Sequence, residues 1–539
     1  MKNPRSRFAK PSLLLGLILL LLLTACSKSS EPTPTDTSAA ASGSPENSAS
    51  GSSAPPAAQT GGTLRIGVPF DANVLGYASD MRQQGEMFIG APALETLGRY
   101  DSAGKVVPLL AESWTLDANA KTIAFKLRSG VKFHDGTEFN AEAAKWNIDQ
   151  FIQAKRPEIG MIRSVEAVDP ATLSINLETW NSSTFESVAC LIYMTSPTAV
   201  QSNGKEWAST HPVGTGPFEF ADWKRGVSVQ YKKNPNYWQA GKPKLDGVAF
   251  TIIEDPMTAS SSFKNGDIDV YYAMNASSAN ELKGSAEIVK LNTGLGAAES
   301  AITFSSGNPD SPFANVKVRQ AAALAIDAKA IVEQMSYGFQ SPTNQMGLPA
   351  SWSYNPDLKG FPYNPEEAKK LLAEAGYPNG FKTTMTVQNS PDLVQMFTAI
   401  QGYLQKIGIE AQIEQVDNAK FLQIRGNGWE GIINSTLRAD PDVGQFMPAL
   451  YGPKGLYGKS IAHPEDVEKL FGTIAAAPDD DSRQRTAHEL QKLIFEQYAL
   501  SVPIGVSTNP TAKSAKVHDD GLNAGSATQW TPEDAWLSK

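Results

Sequence analysis

Apolar and polar residues alternate in several short stretches of this chain, and the alternation predicts strands. It starts at Gly61-Gly62-Thr63-Leu64-Arg65-Ile66-Gly67-Val68 and returns over Thr122 to Arg128, Thr172 to Leu177 and Ile409 to Glu414. A period of two puts every second side chain on one face, as a half-buried strand requires. Other stretches carry helical start and stop residues. Asn140 is placed to cap a helix over 141–153. Asn364 followed by Pro365 opens the run Glu366 to Glu374, and Gly376 closes it. Asp327 separates two apolar runs with helical character, Val316 to Ile326 and Ala328 to Met335, and Asp479-Asp480-Asp481 supplies capping charge before Ser482 to Tyr498. Strands and helices interleave throughout, which predicts an α/β or mixed class without a solenoid repeat.

The first 60 residues follow neither pattern. Lys2, Arg5, Arg7 and Lys10 precede Leu13 to Leu23, an apolar run broken only by Gly16. That run is too short for a spanning helix, which needs about 20 residues, and fits the apolar centre of a signal peptide over 1–25. It ends in Leu23-Thr24-Ala25-Cys26, which resembles the bacterial lipobox. The expectation is that Cys26 carries lipid and becomes the mature N-terminus, anchoring the chain to a membrane with its body facing the periplasm or the cell exterior. The alternative is an ordinary signal peptide with an incidental cysteine. Residues 26–60 after the leader are nearly all Ser, Thr, Pro, Ala and Gly, and read as a disordered tether.

Length and charge narrow the rest. A chain of 539 residues exceeds what one core usually serves, so several domains are expected. The formal charge is -9, and loss of residues 1–25 with their four cations and no acids takes it to -13. No basic stripe remains for a phosphate backbone, which argues against nucleic acid as a partner. Of the two cysteines, Cys190 lies in the apolar stretch Val188 to Ile192 and reads as a buried small hydrophobe.

Catalytic signatures are sparse. The five histidines, His134, His211, His463, His488 and His518, have no metal-ligand spacing, so neither metal nor cofactor is expected. Gly426 to Gly431 matches GxGxxG in letters, yet Ile432 to Thr436 after it looks like a strand where the dinucleotide fingerprint needs a helix. Gly452 to Ser460 has one residue too many for a phosphate loop, and Pro464 follows where a helix should begin. A secreted hydrolase is the competing class, along with a sensor or chaperone lipoprotein that serves no permease.

Several segments together resemble one family, the peptide-, dipeptide-, nickel- and glutathione-type solute-binding proteins of ABC importers. They are Val107 to Trp114, Leu127 to Gly136 with Phe139 to Glu142, Pro212-Val213-Gly214-Thr215-Gly216-Pro217-Phe218, Asn234-Pro235-Asn236-Tyr237-Trp238, Gly266-Asp267-Ile268-Asp269, Asn315 to Ala321, and Ala368 to Tyr377. They occur in the family's order and span roughly 61–510. Most read as scaffold: Gly214 and Gly216 as a turn where a Cβ would clash, Tyr237 and Trp238 as a packing corner, His134 and Asp135 as a hydrogen-bonded turn.

The resemblance implies a two-lobed fold of the large periplasmic-binding-protein type, monomeric, with solute in an interlobe cleft and ABC permease subunits as partners. Lobe 1 would comprise 61–105, 212–305 and 505–539, an extra domain 106–211, and lobe 2 306–504. In peptide-binding relatives an Asp just upstream of an Asp-Pro-Asp stretch pairs with the peptide's α-amino group. Here Asp440-Pro441-Asp442 aligns with that stretch and Leu437 with the pairing position. Leucine supplies no charge partner to an ammonium, so the solute is expected to be peptide-like or, in a second reading, a non-peptide anion such as an opine-like conjugate, metallophore or nickel chelate. Arg438 suits carboxylate or phosphate capture, although a surface or interlobe ion-pair residue is the favoured reading of it. Asp440 replaces the missing amine partner or caps a turn, and Trp429 stacks on solute or packs in the core. Asp71 and Asn73 follow the first strand on the loop that faces the cleft in the family. Ser300 and Ala301 fall where relatives contact ligand through the backbone.

Overall fold

The computed structural model describes residues 58–82, 84–290, 297–439, 443–508, 510–522 and 526–539. The leader, Cys26, the tether up to residue 57 and Asp440 lie outside the described residues, as does the side chain of Arg438.

The alternating stretches form strands with alternating burial. Thr122–Leu127 and Thr172–Leu177 pair antiparallel in a four-stranded sheet, ordered Ala111–Asp117, Thr122–Leu127, Thr172–Leu177, Ile162–Asp169. Thr63–Val68 lies inside a seven-stranded sheet, parallel to Gly247–Ile252 on one side and Val270–Tyr271 on the other. Ile409–Val416 is the edge of a six-stranded sheet whose interior strands include Ser501–Ser507, Ala297–Phe304, Ile432–Ala439 and Phe381–Gln388.

Helix ends follow the capping residues. Asn140 accepts from Ala143 N at 3.0 Å and starts helix Ala141–Gln153. Asn364 caps Pro365–Glu374, after which Gly376 takes φ +95°, a conformation that suits glycine. Asp327 accepts from Ala330 N at 2.9 Å between helices Val316–Ala325 and Ala328–Met335. Asp479 caps Asp480–Gln491, which runs on into a π-helical turn, Lys492–Gln497. A strand does follow the GxGxxG letters, since Ile432–Ala439 begins directly after Gly431.

Two bodies emerge from the cores. One apolar cluster joins Leu64, Ile66 and Phe250 of the seven-stranded sheet to Phe125, Leu173 and Ile175 of the four-stranded sheet, with Cys190 buried among them. The six-stranded sheet is covered on both faces, by a cluster with Ile302, Phe304 and Ile432 and by another with Ala301, Ile433 and Leu437. The chain passes between the large sheets twice, from Glu287–Val289 to Ala297–Phe304 and back from Ser501–Ser507 to Thr511–Lys513. The flanking strands pair antiparallel on each side, Glu287–Val289 with Thr511–Lys513 and Ala297–Phe304 with Ser501–Ser507.

This changes the boundaries drawn from the sequence. Residues 297–304 pair with Ile432–Ala439 and Ser501–Ser507, so a cut at 305 separates them from the sheet they complete. Residues 505–507 likewise belong to the six-stranded sheet.

The family motifs act as scaffold. An ideal Cβ on Gly214 would lie 2.1 Å from the Ala93 carbonyl oxygen, and one on Gly216 2.6 Å from that of Pro92. His134 Nε2 bonds the Gly216 carbonyl at 2.9 Å, while Asp135 accepts from Thr137 and Ser196. Tyr237 and Trp238 both donate to the buried carboxylate of Glu95.

Candidate functional site

The solute contacts expected from the sequence fall into two groups. Ser300 and Ala301 lie opposite Thr436 and Ser435 on adjacent antiparallel strands, with Leu437 opposite Glu299 and Arg438 opposite Ala298. The pairing of Ala297–Phe304 with Ser501–Ser507 shifts register between Ser300 and Ala301, a bulge of the kind that re-aims side chains. The second group belongs to the other body. Asp71 accepts from Ala72 N at 2.8 Å, Trp223 Nε1 at 3.2 Å and Gly226 N at 2.7 Å. Arg225 donates to the carbonyls of Ala72 and Asn73, fixing the loop further, and Asn73 is exposed. No hydrogen bond or ion pair among the described residues links Asp71 or Asn73 to the second body.

Leu437 and Trp429, two of the expected solute contacts, are withdrawn into the core. Leu437 is fully buried and packs in one cluster with Ala301, Trp429, Ile433 and Met447. Strand alternation is the cause: Ile433, Ser435 and Leu437 share one face, and that face is covered. Trp429 donates its backbone N–H to Ser460 Oγ at 2.9 Å and meets Tyr457 edge-on, with ring centroids 6.0 Å apart. That packing fits the core reading, while the buried indole N–H has no hydrogen-bond partner among the described residues. Asp71 is half-buried, and its carboxylate is taken up by Ala72 N of its own loop and by Trp223 and Gly226 of the neighbouring hairpin.

A chamber that sequence reasoning did not single out lies where the four-stranded sheet meets the second body. Its volume is about 240 Å³ and its walls include Trp114, Trp180, Phe185, Glu186, Trp352 and Arg483. None of the expected solute contacts lines it. Cross-body hydrogen bonds surround it: Trp180 Nε1 donates to Ala477 O at 2.9 Å, Ser182 Oγ to Ile474 O at 3.0 Å, and Trp352 N to Ala103 O at 3.3 Å. Arg483 donates to Glu186 at 2.5 Å, with both side chains 7% exposed. The Arg483 guanidinium also lies 4.8 Å from the Trp352 ring centroid, within cation–π range. Local patterning gives no sign of these residues, because Glu186 and Arg483 are 297 positions apart.

A chamber walled by aromatic rings and a few polar groups, formed only where two bodies meet, can enclose a small molecule and couple its capture to their approach. It offers no nucleophile–base pair, and no cluster of metal-ligating side chains occurs among the described residues.

Comparison with known proteins gives the class. The family described as bacterial extracellular solute-binding proteins, family 5 Middle, matches residues 105–458. The chain is 31% identical over 416 residues to the glutathione-binding protein GsiB of Shigella flexneri, covering 74% of this chain and 80% of GsiB. Two solved structures share the fold. HbpA2 from Haemophilus parasuis has TM-score 0.77 and 24% identity, covering 89% of this chain and all of HbpA2. DppA from Helicobacter pylori, an ABC transporter-associated periplasmic binding protein in complex with the peptide STSA, has TM-score 0.71 and 24% identity, covering 89% of this chain and 99% of DppA. The chain belongs to the family 5 bacterial extracellular solute-binding proteins. It is thus a two-lobed solute-binding protein of the ABC-importer kind, and its relatives are binding proteins, not enzymes. No described helix is long and apolar enough to cross a membrane.

Proposed function

We propose that this protein is a lipid-anchored receptor, held by Cys26, that captures a peptide-like solute between its two bodies and delivers it to an ABC permease as a monomer. The observation that carries this reading is the pair of bodies, between whose sheets the chain passes twice, meeting across an aromatic-walled chamber. In this reading the lobes are the two bodies, with the four-stranded domain near 106–211 attached to the first. The similarity to a glutathione-binding protein and to a peptide-bound one supports a peptide-like solute.

A second reading has a specific observation in its favour. Leu437 stands fully buried at the position where the family resemblance implies an amine-binding Asp. An α-ammonium placed there would meet no carboxylate. A non-peptide anion held by Arg438 fits that substitution.

Mass spectrometry of the molecule released on denaturing protein 61–539, with a thermal-shift screen of peptides, glutathione, opines and metal chelates, separates these readings. Peptides or glutathione that co-purify or raise the melting temperature support the first. Silence from them with a shift from an anionic conjugate or chelate supports the second. Turnover of any screened compound would overturn both.

A further inference from the structure

A second pocket lies within the first body and shares no lining residue with the chamber. Its volume is about 330 Å³. One part of its wall is a stack of rings from the first core: Phe88 stacks on Tyr272, with centroids 4.0 Å apart, and on Trp530, at 5.2 Å. The rest is acidic. Among the described residues the lining carries five carboxylates, on Asp101, Asp519, Asp520, Glu533 and Asp534, against one cation, Arg99. Three of the five are neutralised where they stand. Glu533 pairs with Arg99 at 2.9 Å, Asp520 with Lys513 at 2.6 Å and Asp534 with Lys242 at 2.7 Å. Asp101 and Asp519 pair with no cation among the described residues. Asp101 Oδ1 accepts from the N–H groups of Ala103 and Lys105, and Asp519 Oδ2 from Trp536 Nε1. The other oxygen of each has no donor among the described residues. Water satisfies carboxylates at a surface, but Tyr272 is not at one. It is 6% exposed, it lines the pocket, and its hydroxyl has no hydrogen-bond partner among the described residues. A buried phenol ordinarily has one. The pocket is the space from which a partner reaches it.

We propose that this pocket binds a short organic amine carrying two positive charges. Its ammonium groups take Asp101 and Asp519 as counter-charges, an ammonium N–H donates to the Tyr272 hydroxyl, and its methylenes lie against the ring stack. The excess of carboxylates turns an anion away, and a neutral ligand would leave both unpaired acids without a counter-charge. All of these residues belong to the first body, so the site does not depend on solute capture between the bodies.

The test is calorimetric titration of the full chain, purified in detergent, with putrescine and with lysinamide at low ionic strength. Butanediol and succinate, neutral and anionic molecules of similar length, are the controls. Both amines are expected to bind and the controls to give no heat of binding. Tighter binding of lysinamide marks the amino end of a peptide-like molecule as the source of the charges, and tighter binding of putrescine marks a free diamine. Raising the salt to about 0.5 M should weaken either amine, since the contacts are ionic. Asp101→Asn with Asp519→Asn keeps an acceptor oxygen at each position and removes both charges. It should weaken the amines at least tenfold with little change in melting temperature. Tyr272→Phe removes only the hydroxyl and should weaken them about threefold; it serves as the reading if the double variant does not fold. The site is overturned if neither amine binds, if butanediol or succinate binds as well as putrescine, or if the double variant and Tyr272→Phe bind the amines as the parent does.

Discussion

The hydroxyl of Tyr237 donates to the carboxylate of Glu95 at 2.8 Å, deep inside the first body. Trp238 Nε1 at 2.9 Å and Thr215 Oγ1 at 2.8 Å supply two more donors. Burial nevertheless dominates and pushes the Glu95 carboxyl up to about 7, the three donors pulling the other way and Glu533 adding to the rise. The folded protein therefore holds this proton more tightly than the unfolded chain does. The stabilisation from Glu95 is fully present below its ordinary value of 4.5 and is lost as pH rises through about 7. The shift corresponds to roughly 3 kcal/mol. Glu95→Gln keeps a neutral group that accepts and donates, so it should flatten the fall in melting temperature between pH 5 and pH 8. Thermal melts of both proteins across that range check this, and parallel pH profiles would refute it.

Gly214 and Gly402 make opposite predictions for the same substitution. A Cβ at Gly214 would overlap the Ala93 carbonyl, so Gly214→Ala should destabilise by about 1–3 kcal/mol, the usual cost of overpacking. Gly402 lies inside helix Pro391–Gln405 with nothing within 4 Å of an added Cβ. Gly402→Ala should stabilise by about 0.5–1 kcal/mol, because alanine loses less backbone freedom on folding. Urea unfolding midpoints of the two variants should move in opposite directions.

The contrast between short-range and long-range signals explains what the sequence disclosed. Asn140, Asp327, Asn364 and Asp479 were readable as caps because each bonds a backbone N–H three residues on. Strands with one exposed face, such as Thr172–Leu177, announce themselves by alternation. Ser501–Ser507 does not, because nearly every residue in it is buried. The place of Ala297–Phe304 in the second sheet was likewise hidden, since its partners lie more than a hundred residues away. The site suffered most. Resemblance pointed to positions along Ile432–Ala439 but could not say how far the cover on each face extends, and Leu437 lies under it while Thr436 is exposed. Trp180, Glu186 and Arg483 acquire meaning only when the two bodies meet. Glu95 looks unremarkable in Ala93-Leu94-Glu95-Thr96 until Tyr237 and Trp238 close over it.

The anchoring role proposed for Cys26 has a direct test. The chain expressed from its natural leader should partition with membranes and incorporate labelled fatty acid, whereas Cys26→Ser should do neither. The tether over 27–60 carries no long apolar stretch that could hold the chain to a bilayer by itself. Membrane retention of Cys26→Ser at the parent level would remove the lipid anchor from the proposed function.

Leu437 offers a way to separate inherited position from working chemistry. If the aligned acid of peptide-binding relatives could simply be restored, Leu437→Asp would create an amine site. The geometry predicts otherwise. Leu437 is fully buried among Ala301, Trp429, Ile433 and Met447, none of which carries a positive charge to offset a carboxylate. An unpaired carboxylate there should cost about 3–5 kcal/mol and give no affinity for unmodified peptides. Arg438→Ala, one residue along the same strand, should behave in the opposite way under the anionic-solute reading. It should weaken binding of an anionic solute found in the screen at least tenfold with a far smaller change in melting temperature, since a charged hydrogen bond is lost. Denaturant unfolding and calorimetric titration of the two variants make the comparison. A stable Leu437→Asp protein that binds peptides would show the face to be open to solute, and an Arg438→Ala protein with unchanged affinity would remove Arg438 from the site.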